Sequence, residues 1–183
     1  MIPRWMILWI LLGSTVPGET DSSERLLHTS PPEWELTKWI NSDPLRIADL
    51  KGKVVLVRWW TAPQCSYCRA TAPALNEFYD RYRSQGLELI GVYHHKSSKP
   101  LQTADVEAYT REYGFKFPVA IDVDWKSLKQ WWLDRVDSGW TSVSFLLDKT
   151  GKIRLIHPGG QYVRGDDDYK AMQKKIEELL AEK

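Results

Sequence analysis

"GKVVLVRWWTAPQCSYCRATAPALNEFYDRY", Gly52 to Tyr82, changes its hydrophobic period once. Up to Trp60 it is a β-branched and aromatic run, bounded by Gly52 before and by Thr61 to Gln64 after. That is the pattern of a buried strand. From Cys65 to Arg83 the spacing becomes helical: Ala70, Ala74, Leu75, Phe78 and Tyr82 fall near one face. Pro73 stands inside that run and is expected to kink it. Both cysteines of the chain, Cys65 and Cys68, stand where strand gives way to helix.

Working outward, "LELIGVY" (Leu87 to Tyr93) reads as a second strand. "TADVEAYTREYG" reads as a helix with Thr103 as its cap and Gly114 as its stop. "FPVAI" is a short strand, and "WKSLKQWWLDRV" puts Trp125, Leu128 and Trp132 on one helical stripe. "VSFLLD" and "KIRLIHP" flank the turn "DKTG" and predict a hairpin. "DDDYKAMQKKIEELLAEK" closes the chain as a helix, acidic at its start and basic at its end, as the helix dipole prefers. A strand–helix–strand start followed by a hairpin and a helix implies an α/β fold, a mixed sheet covered by helices.

The chain has 183 residues and is 43% hydrophobic with 10 Trp, enough apolar surface for one sizeable core. Its 25 basic and 24 acidic side chains leave a net charge of +1, which argues against a bulk electrostatic partner such as nucleic acid. The first residues carry a different signal. Arg4 is followed by an apolar run, Met6 to Leu12, and then by small and turn residues, the order of a secretory signal peptide. The run is far shorter than the roughly 20 residues that span a bilayer. Cleavage is expected near Gly18, and no cysteine follows the run to take a lipid anchor. The expected organisation is a signal peptide over 1–18, a linker over 19–32 closed by Ser30-Pro31-Pro32, and one domain over 33–183. Export across an inner membrane would place the mature chain in the periplasm or cell envelope. It would have no stable membrane span, and in an oxidising compartment disulfides persist.

Three readings of the cysteine pair compete. A structural zinc site usually needs four ligands. Here there are only two thiols, and the imidazoles are His28, His94, His95 and His157; adjacent residues on a strand, such as His94 and His95, point to opposite faces, so both would not easily reach one metal. A static disulfide closing so short a loop constrains the unfolded chain little. A redox pair fits the setting best. The first thiol sits at a helix N-terminus, where unbonded N–H groups and the dipole favour thiolate. Thiolate is the nucleophile of disulfide exchange, and the second thiol, one turn later, resolves the mixed disulfide.

At this point the sequence resembles the thioredoxin fold family, most closely its exported TlpA-like branch. The resemblance rests on the apolar strand ending in Trp60, the CxxC, Arg69 after it, and Pro73 five residues beyond Cys68. The hairpin "VSFLLDKTGKIRLIHPG" and the lead-in "LRIADLKGK" are similar to the family's as well. It covers roughly Glu33 to Lys183 and implies a thioredoxin-like mixed sheet flanked by helices. It implies Cys65 as attacking thiol and Cys68 as resolving thiol.

The sequence departs from the family at three places. "TAPQ" between Trp60 and Cys65 is one residue longer than usual, and Gln64 replaces the common aromatic, so the rim is more polar, with Pro63 stiffening it. Arg58 stands where thioredoxins bury an acid. Its ordinary reading is a packed stem with the head in water; its functional reading is a cation that stabilises thiolate. His94 is a candidate substitute proton acceptor, although a loop or surface histidine is the simpler expectation. The family's cis-proline slot falls on Ser142, and a cis peptide there would cost about 2.5–4 kcal/mol, so Thr141–Ser142 is expected to be trans. The loop is still expected opposite the thiols, with Thr141 and Ser142 supporting them and Trp140 and Ser142 meeting substrate. Trp59, Trp60, Trp125, Trp131, Trp132 and Trp140 read first as packing residues. Trp60 and Trp140 are expected to bracket the motif.

The function expected is exported thiol–disulfide exchange with protein thiols and disulfides, recharged by an upstream redox partner, without cofactor or metal. Ser66–Tyr67 between the cysteines carries no basic side chain, which leans the pair toward a reductant. A peroxiredoxin-like thiol peroxidase is the alternative enzyme, and Ala62 occupies the place of its usual Thr or Ser. A non-catalytic module that binds a partner or a metal is the alternative outside enzymes.

Overall fold

Every residue of strand β2 (Val54–Trp60) is buried, because the strand lies in mid-sheet with both faces covered. This computed structural model describes residues 22–182. The other strands are β1 (Thr37–Ile40), β3 (Leu87–His94), β4 (Val119–Asp122), β5 (Ser144–Leu147) and β6 (Ile153–His157). They form one mixed sheet in the order β1-β4-β3-β2-β5-β6. β2 runs parallel to β3, and β3 to β4, whereas β5 is antiparallel to both β2 and β6. The hairpin predicted around "DKTG" is present, closed by Gly151 N–H on the Asp148 carbonyl at 2.8 Å.

Alternation along β2 divides the core. Val54, Leu56 and Trp60 face a cluster built with helix α1 (Ser66–Tyr82) and helix α4 (Asp167–Ala181). Val55, Val57 and Trp59 face a second cluster with Trp131, Trp132 and Phe145. Each fully buried aliphatic side chain contributes about 1.5–3 kcal/mol, so β2 is the sheet's main apolar anchor. Gly91 on β3 sits opposite Arg58 in register. A Cβ there would lie 3.0 Å from Phe117 and 3.2 Å from Trp60 Nε1, so glycine lets these rings close over the strand.

Several sequence expectations change. β1 was not predicted. Helix α2 (Thr103–Glu112) begins at Thr103 instead of being capped by it, and its cap position is Gln102 without a side-chain bond. The stripe expected from Trp125 to Trp132 is one α-turn, α3 (Lys126–Leu128), continued by a π-turn over Lys129–Leu133. Trp125 lies outside it, in the left-handed region at φ 61°. Asp122 sets that start. Its buried carboxylate accepts from Ser127 N–H (2.9 Å), Leu128 N–H (2.7 Å) and Trp59 Nε1–H (3.0 Å). The buried face of α1 includes Thr71 and Ala72 and leaves Ala70 half-buried. α4 has the expected acidic start, with Asp166 accepting Tyr169 N–H, but no basic residue in its last turn.

The signal-peptide assignment, 1–18, lies outside the described residues. Within the stretch read as linker, Leu26 is buried, and residues 28 and 29 exchange two backbone hydrogen bonds with Ile153. Packed chain therefore begins before Glu33. No helix among the described residues is long and apolar enough to cross a membrane.

Candidate functional site

Cys65 ends the loop that leaves β2 and occupies the N-cap of α1, with extended backbone at φ −93° and ψ 95°. The two thiols are joined as a Cys65–Cys68 disulfide with Cα atoms 5.2 Å apart. Cys68 N–H donates to Cys65 Sγ at 3.0 Å, so the sulfur takes the place of the usual capping oxygen. Cys65 is half-buried, whereas Cys68 is only 2% exposed. One sulfur thus faces solvent while the other is sealed under the helix.

The segment before β5 lies opposite the bridge, as expected from sequence. Ser142 Oγ is 3.3 Å from Cys68 Sγ and 3.8 Å from Cys65 Sγ. Among the described residues the one cis peptide is Ala62–Pro63, so Thr141–Ser142 is trans. Among the described residues, neither the N–H nor the carbonyl of Thr141 or Ser142 is engaged in a backbone hydrogen bond. These groups are main-chain donors and acceptors left for another partner.

A groove of about 700 Å³ opens over Cys65. Its walls include Gln64, Tyr67, Lys96, Trp140 and Ser142. Trp140 is 49% exposed and Tyr67 45%, with ring centroids 5.7 Å apart in an edge-on pair. Trp140 is held from behind: Trp132 Nε1–H donates to its carbonyl at 2.9 Å, and its side chain lies on Gly159. A Cβ at Gly159 would come within 2.4 Å of Trp140 Cβ, so only glycine admits the ring there.

Trp60 does not bracket the motif. It is 1% exposed and packs edge-on against Tyr93 and Phe115, at 5.2 Å from each. Its part is to hold the end of β2, and the partner of Trp140 is Tyr67. Trp59, Trp131 and Trp132 are core residues, as the packing reading has it. Tyr67 and Lys96 were not singled out from sequence. The signal for Tyr67 was its place between the cysteines, on the solvent side of the first helical turn; Lys96 carried none. Pro73 lies inside α1.

Arg58 corrects the snorkelling reading, because its head is fully buried and does not reach water. One terminal nitrogen donates to the Gly160 carbonyl at 2.8 Å and the other to Ser144 Oγ at 3.2 Å. The guanidinium carbon stands 5.4 Å from the centre of the Tyr162 ring. No carboxylate among the described residues pairs with it, and burial pushes its pKa down. Tyr162 in turn raises the contact toward the motif: its N–H donates to Thr71 Oγ1 at 3.3 Å, on the turn of α1 after Cys68. A cation thus lies in the layer beneath α1.

His94 is also buried, at the end of β3, and not the loop or surface residue the sequence suggested. Its Nε2 lies 2.9 Å from Thr141 Oγ1. Burial first, and then the positive Lys96, lower its pKa from 6.5 to about 3. It is neutral at physiological pH, and it touches the loop opposite the thiols, not the thiols.

Comparison with known proteins agrees with this geometry. The model of the AhpC/TSA family matches residues 29–156. Thiol-disulfide oxidoreductase ResA of Bacillus anthracis is 30% identical over 157 residues, covering 82% of this chain and 83% of that protein. Protein DipZ of Mycobacterium tuberculosis (strain CDC 1551 / Oshkosh) is 27% identical over 155 residues, and this chain spans only 21% of its length. A thiol:disulfide interchange protein of the thioredoxin family from Chlorobium tepidum TLS superposes with a TM-score of 0.64 at 19% identity, covering 84% of this chain and 97% of that one. The fold is thioredoxin-like.

Proposed function

This chain belongs to the AhpC/TSA family, and from that premise we propose that it is an exported thiol–disulfide oxidoreductase that reduces disulfides in protein substrates. One observation carries the reading: a disulfide joins a solvent-facing N-cap sulfur to a sealed one at the mouth of a groove. In the reduced protein the Cys65 thiolate attacks a substrate disulfide, whose S–S bond breaks. One substrate sulfur leaves and takes a proton, and the other is held in a mixed disulfide on Cys65. Cys68 then loses its proton and attacks the Cys65 sulfur, releasing the second substrate thiol. Two electrons have passed to substrate, and the protein is left with the Cys65–Cys68 bridge. An upstream dithiol partner returns the pair to the reduced state.

Ser142 would hydrogen-bond the Cys68 sulfur, and the free backbone groups of Thr141 and Ser142 would pair with an extended substrate chain. Reduction of insulin disulfides tests the reading. Turnover without peroxide consumption is expected, and peroxide consumption without disulfide reduction would move the chain to the peroxidase class. The Ser66–Tyr67 dipeptide offers no cation to hold a strongly stabilised thiolate. Equilibration with glutathione should therefore give a potential nearer the reducing end of the known range, about −270 mV, than the oxidising end, about −120 mV.

Arg58 is part of the proposal. A buried guanidinium without a carboxylate favours an anion in its neighbourhood, and reduction creates one above it. Arg58→Met is expected to raise the Cys65 pKa by about one unit, equivalent to ~1.4 kcal/mol. It should also cost about 1–3 kcal/mol of stability, since the Gly160 carbonyl and Ser144 Oγ lose the donors that Arg58 supplies. The pH dependence of thiol alkylation reads the first effect and urea unfolding the second. A variant with an unaltered alkylation profile would reduce Arg58 to a packing role.

A further inference from the structure

Among the described residues, the groove beside Cys65 has one side chain of fixed charge in its wall, Lys96, and no acidic one. Lys96 follows β3, and its ammonium stands 5.7 Å from the centre of the Trp125 ring. It takes part in none of the chain's ion pairs among the described residues, unlike Lys53, Lys126 or Arg154. Trp125, in its left-handed conformation, also donates its Nε1–H to the His95 carbonyl at 2.8 Å, which fixes the ring under the lysine. A second feature gives the same sign of field. The N-terminus of α1 opens into this groove, its first turn carries no acid, and its dipole is positive there. Lys96 is exposed at the groove, and partial desolvation by its surroundings weakens its hold on its proton.

We infer that this site selects protein substrates that carry a carboxylate beside the reacting cysteine, with Lys96 as the residue that reads it. The inference rests on the disulfide-exchange reading above and names the substrate class of the same site. An extended peptide seated on Thr141 and Ser142 runs along a groove whose walls include both the Tyr67–Trp140 pair and Lys96. The aromatic pair supplies apolar contact that tolerates many side chains. A glutamate or aspartate next to the cysteine pairs with Lys96, and a lysine or arginine there meets like charge. Charge complementarity of this kind acts mainly on the rate of association. The chemistry is unchanged: the same S–S bond is broken by Cys65 and the same two electrons are transferred.

The test uses two synthetic peptides, each with one cysteine as a mixed disulfide with 2-mercaptoethanol, identical except for Glu or Lys on both sides of that cysteine. The second-order rate constant with the reduced full chain is measured for each, together with that for the neutral bis(2-hydroxyethyl) disulfide. The glutamate peptide is expected to react about fivefold faster at low salt, the upper end of what one exposed ion pair contributes. The advantage should shrink toward parity in about 1 M salt, where screening reaches ~3 Å. Lys96→Glu should reverse the order of the two peptides, each rate being taken relative to that of the neutral disulfide in the same variant. Equal rates for the two peptides in wild type would overturn the inference while leaving disulfide exchange intact. Equal slowing of all three compounds by Lys96→Glu would also overturn it, since Lys96 would then act on the Cys65 thiolate. Failure of wild type to reduce any of the three would instead refute the exchange reading itself.

Discussion

Iodoacetamide at neutral pH should alkylate Cys65 of the reduced protein at least about tenfold faster than Cys68, and Cys65→Ser should remove disulfide turnover altogether. Both outcomes follow from where α1 begins. Cys65 is at the N-cap, half-buried at the groove, and its sulfur accepts the Cys68 N–H at 3.0 Å. A hydrogen bond to the charged form, added to the helix dipole, favours the thiolate that alkylating agents and disulfides react with. Cys68 lies inside the first turn and is 2% exposed, so a reagent reaches it only through local opening of the helix end. The same asymmetry predicts what Cys68→Ser does. The first exchange still occurs, the resolving step cannot, and mixed disulfides accumulate with protein substrates. Mass spectrometry of alkylated peptides and non-reducing gels give the readouts. Equal alkylation rates, or turnover surviving in Cys65→Ser, would remove the assignment of roles.

The sequence disclosed the parts of the fold with strong local signals. β2 reads as a strand because seven consecutive residues are buried on both faces, which needs an unbroken apolar run. α1 reads as a helix because its period is clean, and the cysteines at its start name the chemistry. β1 escaped notice because it is a four-residue edge strand with exposed Thr37 and Lys38, and Lys38 at φ 51° interrupts its register with β4. No alternation survives in so short and irregular a pairing. The stretch after Trp125 misled because its apolar spacing is helical, while the conformation there is set from a distance by the Asp122 carboxylate on Ser127 and Leu128. The site shows the same division. The cysteines and the loop at Ser142 were placed by pattern. Burial of Arg58 and His94, the withdrawal of Trp60 into the core, and the convergence of Tyr67, Lys96 and Trp140 depend on packing between elements distant in sequence.

Acid should destabilise this protein through His94 well before its surface carboxylates are fully protonated. The unfolded chain binds a proton at His94 near pH 6.5, whereas the folded chain resists it down to about 3. Between those values the unfolded state holds more protons, so stability rises with pH across that window and is lost as pH falls through it. At about 1.4 kcal/mol per pH unit, roughly 3 kcal/mol has gone by pH 4. That is a large part of the ~5–15 kcal/mol that holds an ordinary domain together. The cause is burial first, then the like charge of Lys96, with Arg58 adding to it. His157, also buried and facing Arg58, is lowered as well and acts in the same direction. Urea unfolding of the oxidised protein at pH 7 and pH 4 measures the loss. His94→Gln keeps a polar group near Thr141 without a titratable ring, and should be less stable than wild type at pH 7 yet lose less between pH 7 and pH 4. Should that variant fail to fold, the imidazole resonances of wild type decide the matter, because His94 should show no titration above pH 5. A midpoint near 6.5 for His94 would mean that the ring is solvated, and the expected acid sensitivity would have no basis there.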